Sequence, residues 1–171
     1  MRGRVAMLLF RIAMVLVASS MMTACSHSDS AKFATDAVQG GMTQVELGKL
    51  AIERGSSSVV RSFGEQMVAD HEKANDELKN IAAKNQISLP DGVSSAQQAT
   101  IEKLSKLSGA EFDKQYMSDM VSDHQAVAKA FEEQAQQGTN ADVKAFAART
   151  LPTVQRHLNM ARDAATQIAS R

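Results

Sequence analysis

From Phe33 onward, apolar residues recur every three or four positions, and Ala, Glu, Lys and Gln fill most of the spaces between them. That spacing lays the apolar side chains along one stripe of an α-helix, and the intervening residues are strong helix formers. Four long helical segments follow, at roughly 33–54, 58–86, 109–137 and 141–169. Gly55-Ser56-Ser57-Ser58 breaks the first pair, and Gln137-Gly138-Thr139-Asn140 breaks the second. Thr139 with Asp142, and Ser108 with Glu111, have the spacing of capping boxes. The turn Pro90-Asp91-Gly92 is expected to stop the second segment. In the long connection that follows, Ala96 to Leu107 predicts a short extra helix after Ser94-Ser95. Nowhere does the chain alternate as a strand does.

The expected fold class is therefore all-α. Two helical hairpins joined by a long crossover with a short extra helix make the ferritin-like version of a four-helix bundle. An up-down bundle with an added cap helix is the alternative. Advancing about 100° per residue finds the inward face of each segment. On the second, Val60, Phe63, Gly64, Met67, Ala74, Leu78 and Ile81 share a side, with His71 among them. On the third, His124 lies among Phe112, Tyr116, Met117, Met120, Val127 and Phe131. On the fourth, His157 lies among Val143, Phe146, Ala147, Val154, Leu158 and Ala161. The first segment has no inward histidine, but Gln44 stands near the centre of its apolar arc, while Glu46 falls on the solvent side. Counting from the two hairpin turns at 1.5 Å per residue leaves only about 3–5 Å of mismatch, so all four residues reach one layer.

The repeat Met-Val-x-Asp-His, at Met67–His71 and again at Met120–His124, carries this layer. A di-iron centre needs Glu-x-x-His on two helices. Here Val68, Val121 and Val154 occupy the position three before each histidine, and Val has no ligand atom. Three imidazoles instead suit a single transition-metal ion, Zn, Cu or Fe, with Gln44, Met67, Met120 or water completing the set. The other reading is a purely structural polar layer, in which the histidines are neutral core residues and the methionines fill space. Asp70 and Asp123 turn toward the edge of their faces. Pro152 removes one helical hydrogen bond a turn before His157. No nucleophile motif or central carboxylate pair points to catalysis, so the reading leans away from an enzyme. A metalloenzyme handling peroxide or metal oxidation, and a partner-binding bundle with an inert core, stay open as alternatives.

The beginning of the chain reads as an address. Arg2, Arg4 and Arg11 precede or flank an apolar run at Ile12–Ala18, and small residues lead to Cys25. The run is shorter than the roughly 20 apolar residues of a spanning helix. Met22-Thr23-Ala24-Cys25 resembles the bacterial lipobox, with Met22 where Leu is usual, so residues 1–24 are expected to be a signal peptide and Cys25 a lipidated anchor to the membrane. Ser26 after the cysteine resembles the sorting signal for the outer membrane; a soluble periplasmic form is the alternative. Residues 25–32 are expected to be a polar tether, and 33–171 the bundle domain. Cys25 is the single cysteine, which excludes a disulfide framework or a thiolate cluster. Removal of 1–24 leaves 16 basic against 19 acidic residues, a net charge of −3. Without a basic stripe, and with 4% aromatics, nucleic acid is not an expected partner. Whether there is a protein partner is not encoded in any motif of the sequence.

The stretches VELGKLA (45–51), VRSFGEQMVADH (60–71), FDKQYMSDMVSDH (112–124) and TLPTVQRHLNMA (150–161) resemble a bacterial family of unknown function. It is usually labelled "predicted outer membrane protein" and regarded as ferritin-like. The resemblance runs from about residue 33 to 168 and makes His71, His124 and His157 the family's motif histidines. It implies an exported, often lipidated helical bundle and brings no established reaction. Members often carry Glu where this chain has Gln44, so an anionic ligand would be missing here.

Overall fold

The computed structural model describes residues 3–170, with side chains from Asp29 onward; the signal peptide expected at 1–24 and the lipidation expected at Cys25 fall outside the described side chains. Among the described residues the helices are α1 (Gly3–Arg54), α2 (Ser58–Lys84), α3 (Ser95–Ser105), α4 (Gly109–Gln137) and α5 (Ala141–Ala169), and there is no strand. The molecule is all-helical. α1 packs along α2 and α4 along α5, as two antiparallel hairpins. The hairpins meet through α2 on α5 and α1 on α4, and α3 lies against α1. Residues 85–108 carry the chain from the end of α2 back to the α1–α2 turn, where Gly55 and Gly109 pair. α4 therefore runs parallel to α2.

The bounds of α4 and α5 are those the periodicity predicts, but several ends are made differently from their sequence signals. α5 is capped by Asn140, whose side chain accepts from the amides of Asp142 and Val143 at 3.1 and 3.0 Å, in place of a Thr139–Asp142 box. Ser108 makes no side-chain cap bond; Gly109 opens α4 at φ +64°, a conformation glycine adopts without strain. α2 ends at Lys84, well before Pro90. Gln86 takes φ 56°, its N–H reaches Ala83 O at 3.3 Å, and Ile87 N–H reaches Ala82 O at 2.9 Å. That is a Schellman stop with Gln at the position glycine usually fills, held by the burial of Ile87. At α3 the capping box of Ser94 and Gln97 is complete. The stretch expected as a tether is partly packed: Ser30 is buried and accepts from Gln134 Nε2 at 3.2 Å and Asn140 N–H at 3.3 Å.

Two glycines set the spacing of the first hairpin. A Cβ on Gly48 would stand 2.8 Å from the carbonyl oxygen of Gly64, and one on Gly64 would stand 2.7 Å from that of Gly48. The α1 and α2 backbones touch there, which only the absence of both side chains permits. At the near end, Asp113 of α4 accepts from Ser56 N–H at 3.0 Å, Ser57 N–H at 2.8 Å and Ser56 Oγ at 2.6 Å. A buried carboxylate from one hairpin thus satisfies the open amides at the start of a helix in the other.

The core is divided. One apolar cluster holds Leu47, Met67, Met120 and Ala161; the other holds Val38, Leu78, Phe131 and Val154. On each long helix a polar residue lies between a member of the first cluster and a member of the second: Gln44, His71, His124 and His157. A polar layer therefore crosses the middle of the bundle.

Candidate metal centre

Each histidine of this layer comes from a different helix, placed inward by the apolar periodicity of its own segment. The His71 and His124 ring centroids are 6.0 Å apart, and His157 lies 5.5 Å from each. Taking one ring nitrogen from each, the three candidate ligand atoms lie within 4.8 Å of one another. Zinc–imidazole bonds of about 2.0–2.1 Å in a tetrahedral set would bring such atoms to about 3.3–3.4 Å, so binding requires the rings to draw together.

The hydrogen bonds decide which nitrogens are free. His124 Nδ1–H donates to the Met120 carbonyl at 3.0 Å, leaving Nε2 with its lone pair. His157 Nε2–H donates to Asp70 Oδ2 at 2.7 Å, and its Nδ1 is buried without a partner. His71 Nε2 is likewise buried and without a partner. Orienting an imidazole through its second nitrogen, toward a carboxylate or a backbone carbonyl, is how metal-ligating histidines are usually held. Asp70 also accepts from Gln66 Nε2 and from Arg156 Nη2, each at 2.8 Å.

All three imidazoles are held neutral. Burial pushes the His71 pKa down to about 3, with His157 and His124 adding to the effect and Asp70 opposing it. Burial also lowers His124, against the pull of Asp123 and the Met120 carbonyl. It lowers His157 in spite of the bond to Asp70. Desolvation raises the Asp70 carboxyl, but the hydrogen bonds from His157 and Gln66 outweigh it, and the net shift is downward. Three neutral imidazoles beside an ionised carboxylate are in the protonation state that a metal ion requires.

Gln44 is buried and donates from Nε2 to Asp123 Oδ2 at 2.7 Å. Its Oε1 is buried with no partner. The three histidines, Gln44, Asp70 and Asp123 border one cavity of about 140 Å³. Met67 and Met120 do not border it; both are packed in the apolar cluster with Leu47, Phe63 and Tyr116. The structure thus brings together four of the six ligand candidates and places the two thioethers in the neighbouring core. The bond between Asp70 and His157 was not read from the sequence, because Asp70 sits one residue off the inward line of α2. Its signal was the Asp-His pair itself, which reaches sideways to the next helix.

No curated protein and no solved structure matches the chain. A family model described as a domain of unknown function, DUF4142, matches residues 16–164. That span includes every residue of the polar layer, and the chain therefore belongs to the DUF4142 family, whose description assigns no activity.

Proposed function

We propose that this protein binds one transition-metal ion through His71, His124 and His157, in a ferritin-like bundle that serves a non-enzymatic binding or protective role in the bacterial envelope. The observation that carries the metal reading is the pair of orphaned nitrogens, His71 Nε2 and His157 Nδ1, beside His124. A buried polar atom without a partner costs about 1–3 kcal/mol. A core that needed only apolar packing would not leave two such atoms on rings whose centroids are 5.5 Å apart. An ion shared by the three rings satisfies both, and Gln44 Oε1 or a water takes a further position. With the thioethers outside the cavity, the donors are nitrogen and oxygen, which suit Zn, Fe(II) or Cu(II) better than Cu(I). The envelope address rests on the signal-like start and on Cys25. Anchoring there through a multiply acylated cysteine would leave the bundle facing the periplasm.

The test is metal content. Residues 26–171, prepared without a histidine tag, are loaded in turn with Zn, Cu and Fe, dialysed and measured by mass spectrometry. One ion per chain, lost in His124→Ala, is expected. A protein that stays metal-free after every loading overturns the reading.

A further inference from the structure

We infer that the chamber beside the three histidines is a binding site for a small uncharged molecule, with an apolar body about the size of one aromatic ring and a single neutral donor atom directed at the metal. The inference rests on the metal reading for its polar end only. The chamber measures about 140 Å³. An apolar protein cavity of about 150 Å³ accommodates benzene, so a single ring is the right scale. The histidine layer and its edge make the polar end, and Asp36, Asn75, Thr150 and Thr153 add polar groups elsewhere on the lining; Phe33, Leu78, Val127, Phe131, Phe146 and Val154 supply the apolar wall, which is most of the surface. An ion pushed against that wall would lose its hydration with nothing in return. A ligand polar at one end and apolar over the rest matches both parts.

Gly40 marks the way in. Together with Gln44 and Asp123, it borders both the chamber and a second recess lined by Gln97 and Thr100 of α3. Glycine inside a helix costs roughly 0.5–1 kcal/mol relative to alanine. At Gly48 and Gly64 the close approach of two backbones accounts for that cost. At Gly40 no such contact exists, since an added Cβ would meet nothing within 4 Å. What glycine preserves at position 40 is open space at the mouth of the chamber.

The experiment uses the mature chain without a histidine tag, as wild type, Gly40→Ala and Gly40→Leu. Metal content is measured first. The Co(II)-loaded proteins are then titrated with 1-methylimidazole, following the visible d–d bands, and the metal-free proteins with benzene, following 13C-methyl NMR shifts of Leu78, Val127 and Val154. In the wild type both probes are expected to bind. Gly40→Ala, which adds one carbon into that open space, should fold as the wild type does and weaken 1-methylimidazole by less than Gly40→Leu. Gly40→Leu should keep its metal and its melting curve yet bind 1-methylimidazole at least tenfold more weakly. A protein that loads metal but shows no response to either probe overturns this inference and leaves the metal reading standing. So does a full response in folded Gly40→Leu. A protein that loads no metal, yet binds benzene in a way abolished by Gly40→Leu, overturns the metal reading and supports the chamber. If it neither loads metal nor binds benzene, both fall.

Discussion

His157 has two nitrogens in opposite circumstances, one donating to Asp70 at 2.7 Å and the other enclosed without a partner. The first bond fixes the tautomer, and so leaves the second nitrogen with a lone pair. Asp70 is in this view a positioning residue. Replacing it by Asn removes the charge that favours the Nε2–H form while keeping the side chain's size. Loss of such a partner typically costs about 10- to 100-fold in metal affinity. Asp70→Asn is therefore expected to bind Zn more weakly by about that factor, read by competition with a chromophoric chelator, with an unchanged far-UV spectrum. An affinity equal to the wild type would show that the carboxylate holds nothing in place. Tyr116 shows a different outcome at the same scale: its ring stacks on Phe112, and its hydroxyl is buried without a partner, its pKa pushed well up by burial. Tyr116 borders neither the chamber nor the recess beside it, and nothing in the structure explains the orphaned hydroxyl.

At the scale of elements, the site depends on two hairpins being held in register. α1 and α2 are tied where Gly48 and Gly64 let the backbones meet. In an isolated helix Gly→Ala would stabilise by about 1 kcal/mol. Here the added carbon on Gly64 meets the Gly48 carbonyl oxygen at 2.7 Å and the Ala51 Cβ at 2.8 Å, and both belong to packed α1. Overpacking of this kind costs about 1–3 kcal/mol. Gly64→Ala should accordingly lower the urea midpoint in spite of its better helix propensity; a raised midpoint would mean that the helices separate freely. The two hairpins are tied in turn by Asp113 over the start of α2 and, at the opposite end, by the bonds of Asn85 to Asn140 and Asp142, at 2.8 and 2.9 Å. These ties bracket the polar layer from both sides. They connect helices distant in sequence, so the capping signals at Ser108 and Thr139 located the starts of α4 and α5 to within a residue but did not show which groups hold those ends.

For the whole molecule, the polar layer makes stability depend on pH. A histidine whose pKa is near 6.5 in the unfolded chain is lowered to about 3 at position 71 by burial. Between those values the unfolded chain binds a proton that the folded one refuses. Stability is therefore full above about pH 6.5 and declines as the pH falls toward 3. His124 and His157 shift in the same direction and add to the slope. The metal-free protein is expected to show a urea midpoint that falls steadily from pH 7.5 to pH 5, before most carboxylates titrate. A flat profile over that range would mean that the histidines are charged or solvated in the fold. Among the described residues no helix is long and apolar enough to cross a membrane.

The sequence by itself determined the all-helical class, the extents of α4 and α5, and the inward direction of His71, His124, His157 and Gln44. Those follow from helical periodicity, a local property that neighbouring residues enforce on one another. It also determined that no Glu-x-x-His is present, since that depends on spacing alone. Tertiary structure decided the rest. Whether α4 runs along or against α2 depends on where the crossover returns the chain, and no local pattern encodes that. Met67 and Met120 share an inward face with their histidines, yet one turn of helix carries them into a different layer. Asp70 looks peripheral on its own helix and becomes central only because α5 lies beside it. Ligand sets and second partners are properties of several helices meeting at one height, so they appear only when the helices are packed.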